Sequence, residues 1–303
     1  MDDNLRCSAW TRSHDVDPIG TAGCYAGLLM VEWPLPWPRN LADIPQLTDV
    51  AGACARAGIR LQAVVGTGTA QGRVALYRWQ PESGVFSGVE VQGCQDPAAV
   101  SVALLDDRPP PGTRPVEGKD VLVCGHGQRD RCCGSKGTSL ALNLRGALGE
   151  GVRVWRTSHM GGHRFAPTLI LLPEGTSWGY QDLDSVRQIV TRTEPVDAQL
   201  GKYRGCLGLT SPAIQAVERA ALKDAGWALL GWSRAGEELG NETVAFRATS
   251  SEGESRSWRA RVITRRVLPV PQCGAPVGEH LKTEAELGVE GLERDPVAVQ
   301  PVT

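Results

Sequence analysis

Two short segments hold the residues best suited to chemistry. Residues 124–134 read Cys-Gly-His-Gly-Gln-Arg-Asp-Arg-Cys-Cys-Gly, and residues 158–167 read Ser-His-Met-Gly-Gly-His-Arg-Phe-Ala-Pro. They gather thiols at Cys124, Cys132 and Cys133 and imidazoles at His159 and His163 within one stretch of chain. Thiolate and imidazole are the donors of tetrahedral zinc sites and of iron-sulfur centres with mixed ligation. The spacing suits a binuclear iron-sulfur centre; a closed two-Cys, two-His zinc site is the competing reading. Cys132 and Cys133 are adjacent and are not expected on the same iron. His126, Arg129 and Asp130 are read as neighbours that orient the ligands rather than as ligands. The histidine pair lacks the Glu of a His-Glu-x-x-His zinc peptidase motif. Gly161 and Gly162 instead let the backbone bend so that both imidazoles reach one site.

The elements that must position these residues are legible from periodicity. Residues 120–123 read as a strand running into Cys124, and residues 138–148 as an apolar-periodic helix. A thiolate just ahead of that helix would feel the positive end of its dipole, which lowers a thiol pKa. Residues 152–156, 168–172 and 177–180 read as strands and 183–191 as a helix. An earlier unit shows the same β-α-β-β-β-α order: strands at 25–33, 61–65, 73–79 and 85–91, and helices at 43–57 and 97–105. An internal duplication is therefore expected. The proline-rich segment 106–118 reads as an interdomain linker. Beyond Glu194, residues 211–225 form a helix with Ser211 as N-cap and Pro212 in its first turn. Residues 242–249 and 257–266 suggest a hairpin, and the polar tail from about 279 reads as disordered. The fold class expected is α/β, with units at 1–112, 113–200 and 201–303, the last a helix and hairpin extension.

Composition bounds the function. The chain has 303 residues, 41% of them hydrophobic and 22% charged, with a formal net charge of −2. That balance gives no reason to expect nucleic acid or an anionic membrane as partner. No apolar run approaches the roughly 20 residues needed to span a bilayer. The polar start, Met-Asp-Asp-Asn-Leu-Arg, is unlike a signal peptide, so a cytoplasmic location is expected. Nine cysteines without a secretory signal argue against a disulfide framework. Cys7, Cys24, Cys54, Cys94 and Cys206 are expected as small buried hydrophobes, and Cys273 has no assigned role. Gly134-Ser-Lys-Gly137 lacks the spacing of a phosphate loop. No carboxylate pair stands out as a glycosidase would require, so glycosidase activity is not expected.

The two central segments resemble those of the sucrase/ferredoxin-like family, whose ferredoxin part is similar to thioredoxin-like 2Fe-2S ferredoxins. The match rests on Cys124-x-His-Gly-x-Arg-Asp-x-Cys-Cys-Gly134 and Ser158-His-x-Gly-Gly-His-Arg-Phe-Ala-Pro-Thr168. It is supported by Asp17-Pro-Ile-Gly-Thr-Ala-Gly, Tyr203-Arg-Gly and Leu268-Pro-Val-x-x-Cys-Gly274. The resemblance implies a thioredoxin-like ferredoxin domain around residues 118–195. It also implies a 2Fe-2S cluster on Cys124, Cys133, His159 and His163, with Cys132 as the alternative to Cys133, and a cis Ala166–Pro167 bond. Two ferric ions, two sulfides and two thiolates sum to zero charge, so such a cluster is easier to reduce than a four-thiolate one. The expectation is a potential nearer the roughly −150 to +300 mV of Rieske centres than the roughly −400 mV of plant-type ferredoxins. A free imidazole nitrogen would make it proton-coupled. No Gly-x-Gly-x-x-Gly nucleotide fingerprint is present, so the electron source would be a redox partner protein, a flavoprotein reductase. The competing functions are a structural zinc-binding interaction protein and a thioredoxin-type thiol redox protein. The latter lacks Cys-x-x-Cys, and a vicinal Cys132–Cys133 disulfide would be strained.

Overall fold

The computed structural model describes residues 6–66, 72–275 and 282–294. In chain order the first half contains α1 (Cys7–Ser13), β1 (Gly27–Glu32), α2 (Thr48–Arg56), β2 (Ile59–Val65), β3 (Val74–Gln80), β4 (Val85–Val91), α3 (Pro97–Leu105) and β5 (Arg114–Pro115). The second half contains β6 (Lys119–Cys124), α4 (Thr138–Asn143), β7 (Val152–Thr157), β8 (Leu169–Leu172), β9 (Thr176–Trp178) and α5 (Leu183–Thr191). There follow α6 (Asp197–Leu200), β10 (Tyr203–Cys206), α7 (Pro212–Ala225), β11 (Ser233–Gly240), β12 (Thr243–Thr249), β13 (Ser255–Pro269) and β14 (Thr283–Arg294).

Unbroken apolar strands explain the layering. All of β8 and the stretch Asp120–Cys124 of β6 are buried, as strands covered on both faces must be. Ten strands form one mixed sheet in the order β10-β9-β8-β6-β7-β2-β1-β3-β4-β5. Within it the two halves share one connectivity. β1 lies parallel to β2 and antiparallel to β3, which pairs with β4. β6 lies parallel to β7 and antiparallel to β8, which pairs with β9. The halves meet where Val64 and Val65 pair with Thr157 and Arg156. The segment 106–118, expected as an interdomain linker, therefore joins two parts of a single sheet and contributes β5 to its edge.

The C-terminal part is larger than the expected hairpin. β12 and β13 are the inner strands of a four-stranded antiparallel sheet, β11-β12-β13-β14. β14 occupies residues expected as a disordered tail; residues 279–281 and 295–303 of that tail lie outside the described residues. Its glutamates pair across the ladder, Glu290 with Arg261 at 2.7 Å and Glu286 with Arg266 at 2.9 Å. Those charges masked the alternation of Ala285, Leu287 and Val289 that marks a strand. Helix α7 packs against this sheet and against β10. Its start is the expected one: the Ser211 hydroxyl accepts from the Ile214 amide at 3.3 Å and Pro212 follows. Among the described residues no helix is long and apolar enough to cross a membrane.

Candidate metal centre

Each chemical residue sits at the end of a buried element. Cys124 closes β6 in the middle of the sheet, its amide donating to the Thr168 carbonyl at 3.0 Å. The chain then loops through Gly127 and turns helical at Arg131, seven residues ahead of α4. This helix starts earlier than expected because Asp130 caps it. The Asp130 Oδ1 accepts from the amides of Cys132 at 2.8 Å and Cys133 at 3.3 Å. Residues Cys133–Gly137 make a π-helical turn, which lays Gly137 so close to β6 that a Cβ there would collide with the Cys124 carbonyl oxygen. On the other side, β7 delivers Ser158, whose amide donates to the Ala63 carbonyl at 2.8 Å. His159 follows. Gly161 and Gly162, at φ 86° and 70°, turn the chain into the short helix His163–Phe165. The Ala166–Pro167 bond is cis, as expected.

Cys133 lies beside Cys124, and His159 reaches the same sulfur; both thiols are fully buried. The rings of His159 and His163 are 6.2 Å apart, centre to centre. The neighbouring Cys133 thiol, and then His159, hold the Cys124 thiol well below the usual range against the opposing effect of burial. Cys133 itself is pushed up, first by the Cys124 contact, then by burial and the nearby Asp130. The low-pKa thiol is thus the strand cysteine. The helix-dipole expectation for a thiol ahead of α4 is corrected accordingly: the contact between two buried sulfurs and a capping carboxylate outweigh the dipole.

Cys132 points elsewhere. Successive residues on a helix project about 100° apart, and Cys132 turns toward Cys273, with the sulfurs 3.1 Å apart, and toward Cys7. Asp130 links the two groups of sulfur. Its Oδ2 lies 3.1 Å from His163 Nδ1 and 3.5 Å from Cys7 Sγ. Burial works against the Asp130 carboxylate, but the His163 contact holds its pKa below the usual range. His126 Nδ1 accepts from the His159 amide at 3.1 Å, so His126 holds the backbone of its neighbour. The exposed Arg129 lines an open cleft of about 370 Å³ with Arg39, Arg131, His159, His163 and Cys273.

Several residues of the site were not anticipated. Cys7 was expected as inert core, yet it faces Asp130, His163 and Cys273. Cys24 is exposed and Cys94 half-buried, whereas Cys54 and Cys206 are buried as expected. Arg204 of β10 is almost fully buried and donates to Thr21, to the Ser177 hydroxyl at 3.1 Å and to the Gly161 carbonyl at 3.4 Å. It therefore props the glycine turn between the two histidines. Burial draws its pKa down to about 10. The Tyr203-Arg-Gly motif was the available signal, but a lone arginine in sequence does not say what it will support.

The expected cluster needs two thiolates and two imidazoles. The sulfurs are shielded from water, the histidines are half-buried, and His159 Nδ1 is buried with no hydrogen-bond partner. Such a nitrogen is costly unless a further group satisfies it. A family model described as sucrase/ferredoxin-like matches residues 18–205. No curated protein and no solved structure matches the chain.

Proposed function

The chain belongs to the sucrase/ferredoxin-like family, and on that premise we propose that it is a 2Fe-2S electron-transfer protein held by Cys124, Cys133, His159 and His163. The observation that carries this reading is the convergence of the buried Cys124–Cys133 pair with His159 at the mouth of a cleft that His163 also lines. A bound cluster would supply one-electron storage at neutral formal charge. The protein's own part is positional. β6 and the capped helical turn fix the sulfurs. Asp130 holds the proton on His163 Nδ1, the carboxylate–histidine arrangement that orients imidazole ligands. His159 and His163 line the cleft, and a free nitrogen on a cluster-bound imidazole would make the potential pH-dependent. The shared connectivity of the two halves, a parallel pair flanked by antiparallel strands, supports reading the cluster-bearing half as thioredoxin-like.

The exposed arginines 39, 129 and 131 around the cleft favour a partner with an acidic surface. The electron donor fits a flavoprotein reductase, since the chain has no nucleotide fingerprint of its own. Iron and sulfide content, with EPR of the reduced protein, tests the reading. Iron and sulfide in equal amounts and a low-average-g signal are expected. The His159→Cys variant, adding a negative ligand, should keep a cluster and shift its potential down toward roughly −400 mV. A colourless protein holding zinc on Cys124 and Cys133, or an unchanged potential in that variant, would overturn it.

A further inference from the structure

Outside the four proposed cluster ligands, a second set of sulfurs converges. Cys7 comes from the first turn of α1, Cys132 from the helical turn after Asp130, and Cys273 from the segment that follows β13. The Cys132 and Cys273 sulfurs are 3.1 Å apart and those of Cys273 and Cys7 are 3.4 Å apart. The Asp130 Oδ1 lies 3.8 Å from Cys7 Sγ and 3.6 Å from Cys273 Sγ. All four donor atoms fall within 4.8 Å of one another. We propose that Cys7, Cys132, Cys273 and Asp130 form a second metal centre that binds a single zinc ion.

Geometry separates this from the alternatives. Zinc–sulfur bonds of about 2.3 Å and zinc–oxygen bonds of about 2.0 Å at tetrahedral angles put sulfurs about 3.8 Å apart and sulfur and oxygen about 3.5 Å apart. The Oδ1 separations of 3.8 and 3.6 Å lie near this, and the sulfurs, at 3.1 and 3.4 Å, would move apart by about 0.4–0.7 Å to take the ion. Sulfurs on different irons of a cluster would be held apart by the irons and sulfides between them, so this set suits one ion. A disulfide would join two sulfurs at about 2.05 Å and leave the third beside a buried carboxylate. Three thiols and a carboxylate share a largely buried space. His163 Nδ1 meets Asp130 Oδ2 at 3.1 Å and Cys7 Sγ at 3.4 Å, and Lys136 reaches the Ser8 hydroxyl at 2.8 Å, which in turn bonds Cys132 at 3.3 Å. A divalent ion would balance the thiolates that form on binding it, which burial otherwise disfavours.

Binding is ordinary coordination: the ion displaces thiol protons to solvent and no oxidation is involved. The centre would tie the N-terminal helix and the segment leaving β13 to the turn that carries Cys133. It does not depend on what Cys124, Cys133, His159 and His163 hold.

Elemental analysis of the full-length protein, prepared anaerobically with and without zinc, tests it. Wild type and Cys124→Ala should each carry ~1 zinc per chain, as for a single closed site. Cys7→Ser and Cys273→Ser should lose at least tenfold of that zinc while keeping their iron. Cobalt(II) added to the zinc-free wild type should give thiolate-to-cobalt absorption even if a serine variant fails to fold. The proposal is overturned by wild type with neither zinc nor that absorption, by zinc lost in Cys124→Ala but kept in Cys7→Ser and Cys273→Ser, or by a Cys132–Cys273 disulfide in the unreduced protein. Iron is read separately, so loss of the iron-sulfur reading and loss of this one give different results.

Discussion

At the scale of the residue, Cys132 and Cys133 carry the sharpest distinction in the molecule. They are neighbours in sequence, but on a helical turn their side chains diverge by about 100°. Cys133 turns to Cys124, and Cys132 to Cys273 and Cys7. Substitution should separate their roles. Cys133→Ser is expected to lose most of its iron. Cys132→Ser should keep iron and lose zinc. Iron and zinc measured on the two purified variants check this, and equal iron loss in both would contradict the division. Asp130 sits between the sets, capping the turn with one oxygen and facing His163 with the other.

At the scale of the element, the site depends on how closely the π-helical turn approaches β6. Gly137 is where that approach is tightest, because its Cβ position coincides with the Cys124 carbonyl oxygen. Gly137→Ala must push the turn away from the strand that presents the first thiol. Overpacking of this kind costs about 1–3 kcal/mol. A lower urea midpoint with an unchanged m-value is expected, together with reduced iron loading. Unchanged stability would mean that the turn can relax without moving Cys133. This dependence was not legible in the sequence, where nothing local marks Gly137 as the point that touches the strand.

At the scale of the whole molecule, the single sheet is pinned by a buried ionic group at the opposite end of β6. Asp120 is fully buried and accepts from Arg153 at 2.7 and 3.0 Å, from the Trp155 indole at 2.7 Å, from Tyr77, and from Arg73 of the other half. Burial opposes its ionisation, but the Arg153 bonds and the Arg73 charge prevail and hold its pKa below the usual carboxylate value. A depressed folded pKa fixes the sign. The contribution is complete above the unfolded value of about 3.9 and is lost as pH falls through the lower folded value. Asp120→Asn, which leaves two arginines facing a neutral amide, should cost about 3–5 kcal/mol at neutral pH. Urea unfolding of both proteins should show the gap narrowing as pH drops below about 4. A gap independent of pH would mean that the lost geometry, not the charge, dominates.

The sequence by itself determined the central motifs, the apolar strands β1, β6 and β8, the caps of α7 and the repeated β-α-β-β-β-α order. Each is a local pattern: apolar runs, turn residues and donor types within a few positions of one another. It did not determine that both halves share one sheet, that β14 completes a second sheet, or that Arg204 supports the histidine turn. Nor did it say which of Cys132 and Cys133 lies beside Cys124, or that Cys7 and Cys273 meet Cys132. Those depend on contacts between residues far apart in the chain. Residues 7 and 273 can bring their sulfurs to 3.4 Å only after the core has folded around them, and no local pattern encodes that distance.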